Sequence, residues 1–188
     1  MRLTTLVVGV GEADSLDLEL VSKTFTRDFH GQIAPVLKLN STPIPSNAYD
    51  PARMQYLAPS LLMSVEALRR MGGYHLGFGV TLLDLYVDDL NFIFGEASGR
   101  TAILSTNRLR MGLEPSSEPY AKRVAVVAKH EMGHMLGLNH CLDPMCCMRF
   151  HNSVLEVDGS SGGFCPKCRG KIAEILGGSE KNRLGGGG

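Results

Sequence analysis

Three of the chain's six histidines, His130, His134 and His140, fall within one short segment. His130 and His134 are four residues apart, so on a helix their side chains lie one turn apart on the same face. Two imidazole nitrogens placed there can bind one zinc ion. Gly137 tolerates positive φ, so the chain can turn after it and bring His140 back as a third ligand. Three protein ligands leave the fourth tetrahedral position open for water, as in catalytic zinc sites.

Glu131 directly follows the first of these histidines, about 100° further around the helix and at the same rim. A carboxylate in this position can hold a zinc-bound water and accept its proton, which is general base catalysis. The motif therefore predicts hydrolysis by a zinc-bound water with Glu131 as the base. The alternative interpretation is an amphipathic helix whose histidines simply face solvent.

All five cysteines follow the histidine motif in the sequence. Cys165 and Cys168 flank a tight turn that aims two thiolates at one ion, and Cys141 and Cys146 supply two more. Four thiolates close the tetrahedron, so this second zinc site is predicted to be structural. Cys147 is the remaining thiol, and its position would also allow it to replace Cys146.

Three other interpretations of the cysteines are open. The pair Cys165 and Cys168 has the spacing of a thioredoxin-type redox motif, although the usual strand-turn-helix context is missing. A four-thiolate site can also hold iron. Disulfides are disfavoured, because the number of cysteines is odd and no secretion signal is visible.

The segment from His130 to Cys168 resembles the archaemetzincins, a branch of the metzincin metallopeptidases in which a four-cysteine zinc site follows the catalytic motif. The segments 84–87 and 91–97 are similar as well, so the resemblance covers most of the chain. It implies a zinc metallopeptidase that acts on peptides or proteins and holds two zinc ions per chain, one catalytic and one structural.

The resemblance also bears on individual residues. It favours Cys146 over Cys147 as the fourth thiolate. It places Met148 in the methionine turn of the metzincins, where a thioether packs beneath the catalytic zinc and its histidines. The alternative for Met148 is an ordinary core methionine.

One position departs from a pattern seen in some metzincins. These have a tyrosine two residues after the turn methionine, and its hydroxyl can stabilise the oxyanion or bind the resting metal. Phe150 stands at that position here and has no hydroxyl. Arg149 or His151 could take over this function, and the sequence does not decide between them.

Composition limits the partners. The 188 residues suit one domain with a sizeable core, and 44% hydrophobic with 20% charged residues is typical of globular proteins. The formal net charge of zero gives no electrostatic basis for binding nucleic acid or an anionic membrane. No apolar run reaches the length of a membrane-spanning helix. Thiolate ligands in a chain without a visible secretion signal favour the cytoplasm.

Alternating strands and helices predict a mixed α/β fold, with a twisted sheet between helical layers and a small C-terminal four-cysteine subdomain. We predict strands at 3–10, 35–39, 76–83, 90–94 and 102–106, a loop at 40–48, and helices at 16–29, 51–71 and from 115–119 to about 136. Residues 172–176 are too few to assign. The single domain divides into an upper part (1–138), a lower part (139–178) and a flexible tail (179–188).

The resemblance to metzincins implies an edge strand along the cleft, to which an extended peptide adds as a further strand. Residues 91–97 are the candidate, although their apolar run also suits a covered inner strand. Two other functions are open: a zinc-binding scaffold with little hydrolysis, and a zinc hydrolase acting on non-peptide amides.

Overall fold

A computed structural model describes residues 2–181 of the chain. The strands are β1 (Leu3–Val10), β2 (Ile33–Thr42), β3 (Tyr49–Asp50), β4 (Gln55–Leu57), β5 (Leu76–Thr81), β6 (Leu85–Tyr86), β7 (Gly95–Ser98) and β8 (Thr101–Ser105). The helices are α1 (Ser15–Asp28), α2 (Ala58–Met71), α3 (Glu118–Met135), α4 (Val154–Gly159) and α5 (Pro166–Lys181), with a 3₁₀-helix at Arg108–Arg110.

Five strands form the central sheet in the order β2-β1-β5-β8-β7. Neighbouring strands are parallel except for β7, which runs antiparallel to β8 at one edge. Val7 and Phe78 face α1 and α3 in one core cluster. Leu6 and Ile103 face α2 in a second cluster, because successive strand residues point to opposite faces. The sheet thus lies between two helical layers, which confirms the predicted mixed α/β fold class.

The C-terminal region is tied to α3 by charged side chains. Arg123 donates two hydrogen bonds to Asp158 in α4, at 2.8 and 2.7 Å. Lys129 pairs with Asp28 at 2.8 Å and also donates to the carbonyl of Gly162. Both basic side chains are buried, so α3 anchors the segment that carries the cysteines.

Some boundaries differ from the sequence predictions. Residues 90–94 were predicted as a strand, which is wrong: they form a loop held by one bridge between Ile93 and Leu85. The second helix begins only at Ala58, after the short strand β4. β2 continues into the predicted loop at 40–48. Residues 172–176, which were left unassigned, lie within the longer helix α5. Of the predicted tail (179–188), residues 182–188 lie outside the described part of the chain.

The helix that carries the first two histidines begins as its sequence predicts. Ser117 caps α3 by accepting a hydrogen bond from the backbone N–H of Tyr120 at 3.3 Å. Pro119 stands in the first turn, where its missing N–H costs nothing. Thirteen of the eighteen residues of α3 are buried, because the sheet covers one side of it and the cysteine-bearing segment the other.

None of the helices within residues 2–181 combines the length and the apolar character that crossing a membrane requires.

A buried carboxylate connects the first helix to the active-site helix. Asp17 is fully buried and accepts hydrogen bonds from Tyr120 at 2.5 Å, Thr106 at 2.8 Å and Arg110 at 2.8 Å. Its negative charge is therefore compensated by one guanidinium and two hydroxyls.

Replacing Asp17 with alanine should lower the free energy of unfolding by about 3–5 kcal/mol, because the buried hydroxyl of Tyr120 would lose its acceptor and Arg110 would keep only its ion pair with Asp14. Chemical denaturation of the zinc-loaded protein measures this loss. Glu19→Ala is the control on the same helix: its salt bridge to Lys23 is exposed, and its loss should cost less than about 1 kcal/mol. Equal effects of the two substitutions would contradict the importance of this network.

Candidate metal centre

The structure brings the three histidines of the motif together. One ring nitrogen from each of His130, His134 and His140 lies within 4.8 Å of the other two. The Nε2 atoms of His130 and His134 are 3.0 Å apart. In a tetrahedral zinc site with bonds of about 2.0–2.1 Å, two nitrogens are about 3.3 Å apart. The spacing of the nitrogens therefore fits a zinc ion between them.

Hydrogen bonds to backbone carbonyls fix which ring nitrogen faces the centre. Nδ1 of His130 lies 2.8 Å from the carbonyl of Cys147, and Nδ1 of His134 lies 2.8 Å from the carbonyl of Leu138. A carbonyl only accepts, so each Nδ1 carries the proton and each Nε2 presents a lone pair. Two lone pairs facing each other at this distance repel, and a shared cation removes the repulsion.

The environment keeps the imidazoles neutral. Burial lowers the pKa of His130 to about 3. Burial also lowers the pKa of His134. The pKa of His140 is lowered for the same reason, because its ring is partly desolvated although the residue as a whole is exposed. Neutral imidazoles are the form that binds metal, so none of the three has to lose a proton first.

Gly137 makes the approach of His140 possible. Its φ is +89°, which side-chain-bearing residues rarely adopt. The backbone N–H of Gly137 donates to the backbone carbonyl of His134 at 2.9 Å, and the N–H of Leu138 donates to the carbonyl of Gly133 at 2.9 Å. These bonds end the helix in a sharp turn.

Glu131 lies beside the histidines, beneath the edge of the sheet. It is buried, and burial raises its pKa to about 8, with a contribution from the nearby carboxylate of Glu96. Gly95 on strand β7 passes close to it: a Cβ added at Gly95 would come within 2.7 Å of Glu131 Oε1. Only glycine at position 95 leaves room for the carboxylate.

The cysteines form a second cluster. The sulfurs of Cys141, Cys146, Cys165 and Cys168 all lie within 4.8 Å of one another. The sulfurs of Cys141 and Cys165 are 3.8 Å apart. A tetrahedron with zinc–sulfur bonds of about 2.3 Å has edges of about 3.8 Å, so this separation also fits zinc.

Backbone groups stabilise charge on these sulfurs. The Cys146 sulfur accepts hydrogen bonds from the N–H groups of Cys165 at 3.3 Å and Met148 at 3.5 Å. The N–H of Cys168 lowers the pKa of the Cys165 thiol. Such N–H donors favour the thiolate form that a metal requires.

Cys147 lies outside this cluster of sulfurs. Its side chain is buried, and burial raises the pKa of its thiol far above the usual range. Its backbone instead serves the first site, because its carbonyl orients His130. The geometry therefore agrees with Cys146 as the fourth sulfur.

Met148 lies directly beneath the histidine helix. It is fully buried, and a Cβ added at Gly133 would come within 2.3 Å of its sulfur. Gly133 stands between the two helical histidines, so its missing side chain lets the thioether reach the underside of the site. The carbonyl of Met148 also accepts the N–H of Cys141 at 2.9 Å, which links the two clusters.

Phe150 stands at the mouth of the site. Its ring is 40% exposed, and its centroid lies 5.2 Å from that of His140. The ring centroid of His151 lies 6.1 Å from that of His130, and His151 lines a cavity of about 270 Å³ together with Glu131 and several apolar side chains. Its Nε2 is buried and has no hydrogen-bond partner among the described residues.

The edge strand at the cleft is β7 (Gly95–Ser98), which begins four residues later than the candidate segment 91–97. Among the described strands, it pairs only with β8, so its other edge is open. The open cleft of about 410 Å³ between this strand and the histidines is bordered by Glu96, Glu131 and Phe150. Gly95 and Glu96 belong to the candidate edge segment 91–97, but neither was predicted individually as a residue of the site.

Comparisons with known proteins agree with this geometry. The model of peptidase family M54 matches residues 7–174 of the chain. The archaemetzincin of Pyrococcus furiosus is 37% identical over 184 residues, covering 94% of this chain and 96% of that protein. The archaemetzincin of Methanopyrus kandleri is 42% identical over 134 residues, covering 70% of this chain and 74% of that protein.

Solved structures give the same result. The crystal structure of the Methanopyrus kandleri archaemetzincin matches with a TM-score of 0.82 at 34% identity, covering 94% of this chain and 96% of that one. A zinc-dependent peptidase from Methanocorpusculum labreanum matches with a TM-score of 0.75 at 26% identity, covering 90% of this chain and 99% of that one.

The fold, the site and the similarity to known peptidases together define the chain as a zinc metallopeptidase, with proteins or peptides as substrates. The chain belongs to peptidase family M54, as the match over residues 7–174 shows.

Zinc content can distinguish the two neighbouring buried cysteines. Cys146→Ser should lose about one zinc ion per chain, because three thiolates no longer close the tetrahedron. Cys147→Ala should keep the full zinc content and lose only about 1–3 kcal/mol of stability from the small cavity it leaves. Elemental analysis of protein purified without added metal, with the unsubstituted chain alongside, measures both. Loss of zinc from Cys147→Ala alone would reverse the assignment.

Proposed function

We propose that this chain hydrolyses peptide bonds at a zinc ion bound by His130, His134 and His140, with Glu131 as the general base. The observation that carries the proposal is the pair of histidine Nε2 atoms 3.0 Å apart, next to a buried carboxylate. When bound there, zinc makes a water ligand more acidic and polarises the scissile carbonyl.

Glu131 moves the proton. One of its carboxylate oxygens accepts a proton from the attacking water and delivers it to the nitrogen of the leaving amine. The carboxylate is held on helix α3, one residue from His130, and Gly95 packs against it. This confinement fixes the carboxylate beside the histidines, so that little reorganisation is needed during the reaction.

Strand β7 is the proposed docking edge for substrate. Its outer N–H and carbonyl groups face the cleft that holds Glu131 and the histidines. An extended peptide can add to such an edge through main-chain hydrogen bonds. The peptide bond to be cleaved then lies over Gly95, the strand residue nearest to Glu131.

We further propose that the four-cysteine cluster holds a second, structural zinc, which makes two ions per chain. Four thiolates leave no position for water, so this ion would take no part in the reaction. It joins the loop after His140 to the N-terminus of α5 through Cys141 and Cys165. The third histidine is thereby fixed by the residue next to it.

Glu131→Gln tests the base. Glutamine keeps the shape of the side chain but cannot accept the proton, so turnover of a fluorogenic peptide should fall by about 10²–10⁴-fold. Zinc content and peptide affinity should stay unchanged, and both are measured on the same preparations. Full activity in Glu131→Gln would assign the hydrolysis to another group. If the unsubstituted, zinc-loaded chain cleaves no peptide, the zinc-binding scaffold becomes the better interpretation.

The two metal sites should differ in their effect on folding. Cys165→Ser should remove the structural ion and with it the cooperative thermal unfolding transition, since such ions contribute directly to folding. His134→Ala should lose the other ion and activity while shifting the midpoint of thermal unfolding by much less. Calorimetry with parallel zinc analysis compares them, and a larger loss of stability in His134→Ala would mean that the roles are reversed.

A further inference from the structure

The edge strand carries a second carboxylate that has no function in the mechanism above. Glu96 is partly buried on β7 and lines the open cleft together with the three histidines and Glu131. Its neighbour Gly95 faces α3, so strand alternation turns Glu96 towards the opposite face of the sheet. There it also lines a cavity of about 590 Å³ against helix α2. Glu96 thus stands where the catalytic cleft continues into a side cavity.

The carboxylate of Glu96 lacks a partner in the protein. Its Oε2 atom is shielded from solvent and accepts no hydrogen bond from any residue in the described range 2–181. Burial also raises its pKa, which is the direction expected for a carboxylate without a compensating cation. A shielded acceptor of this kind is normally satisfied, so its missing partner suggests a ligand.

Three arginines, Arg69, Arg70 and Arg100, line the same side cavity, and none of them forms an ion pair with Glu96. Arg69 and Arg70 both donate to Glu66, Arg69 at 2.6 and 2.9 Å and Arg70 at 2.6 Å. Glu66 also accepts from Thr101 at 2.6 Å. The pKa of Glu66 is correspondingly lowered far below its usual range by these partners. Glu66 therefore holds two of the three arginines, and no cation among the described residues forms an ion pair with Glu96.

The direction of an added strand tells which part of a substrate meets Glu96. Antiparallel pairing is the commoner and slightly more stable arrangement. A peptide that pairs antiparallel with β7 runs from Ser98 towards Gly95, so its N-terminal half passes Glu96 before the scissile bond reaches Glu131. The C-terminal half then enters the apolar cavity beside His151.

We propose that Glu96 is a specificity-determining residue that binds a cationic nitrogen of the substrate on the N-terminal side of the scissile bond. This inference rests on the proposed peptide hydrolysis. The nitrogen is either the free α-amino group of the peptide or the side chain of a lysine or arginine. Both supply N–H donors and a positive charge to the unpartnered oxygen.

The test compares peptides that differ only in charge before the cleavage site: lysine against methionine, each with a free or an acetylated N-terminus. With the unsubstituted enzyme, kcat/KM should be at least about tenfold higher for a cationic peptide, the range expected for a charge-assisted hydrogen bond. Loss of the preference on acetylation identifies the α-amino group, and dependence on lysine identifies the side chain.

Glu96→Gln should abolish the preference, so that cationic and neutral peptides are cleaved with similar kcat/KM, and Glu96→Lys should shift the preference towards peptides with glutamate. Glu174→Gln is the control, because it removes the same charge from an exposed position on α5. A preference that survives in Glu96→Gln, or no preference in the unsubstituted enzyme, overturns the proposal.

Binding separates this inference from the failure of hydrolysis. Fluorescence anisotropy with zinc-loaded Glu131→Gln measures the Kd of the same peptides without cleavage. Tighter binding of cationic peptides, lost in the Glu96→Gln, Glu131→Gln double variant, supports the function of Glu96 even if no peptide is cleaved. Equal Kd values for cationic and neutral peptides reject it.

Discussion

Two hydrogen bonds from imidazole to backbone determine what this site can do. The carbonyls of Cys147 and Leu138 each accept a hydrogen bond from Nδ1–H of one helical histidine, and this directs both Nε2 lone pairs to one point. Without these bonds, each ring could rotate or change its tautomer, and the two lone pairs would separate. The turn at Gly137 supplies one of the two carbonyls, and the segment between the cysteines supplies the other. The site therefore depends on loops that come after the helix, although the helix carries its two ligands.

The two clusters of candidate metal ligands were predictable from the sequence because they depend on residue spacing. Local geometry is specified by the four-residue spacing of His130 and His134, by the glycine before His140 and by the Cys165–Cys168 pair. The helix start at Ser117 was predictable for the same reason, since a capping side chain acts within one turn. The fold class followed from the alternation of strands and helices.

What the sequence did not reveal depends on contacts between distant elements. The apolar run at 90–94 has the composition of a buried strand, but in the fold it lines the wall of a cavity next to the active-site helix. Nothing in the sequence around Gly95 and Gly133 indicates their function. In the fold, Glu131 packs against Gly95 and Met148 packs against Gly133. The unpartnered oxygen of Glu96 is likewise a property of the folded cleft, where Arg69 and Arg70 donate to Glu66 and not to Glu96.

The adjacency of His140 and Cys141 has a consequence for how the protein takes up metal. The two residues are consecutive, and the N–H of Cys141 is bonded to the carbonyl of Met148 beneath the helix. If both clusters hold zinc as proposed, closing the thiolate cluster brings His140 to its place and so raises the affinity of the histidine cluster. The reverse influence is equal in free energy, because coupling between two sites is reciprocal. When zinc is scarce, the chains should therefore divide into empty and doubly loaded forms, with few that carry an ion at the histidines alone.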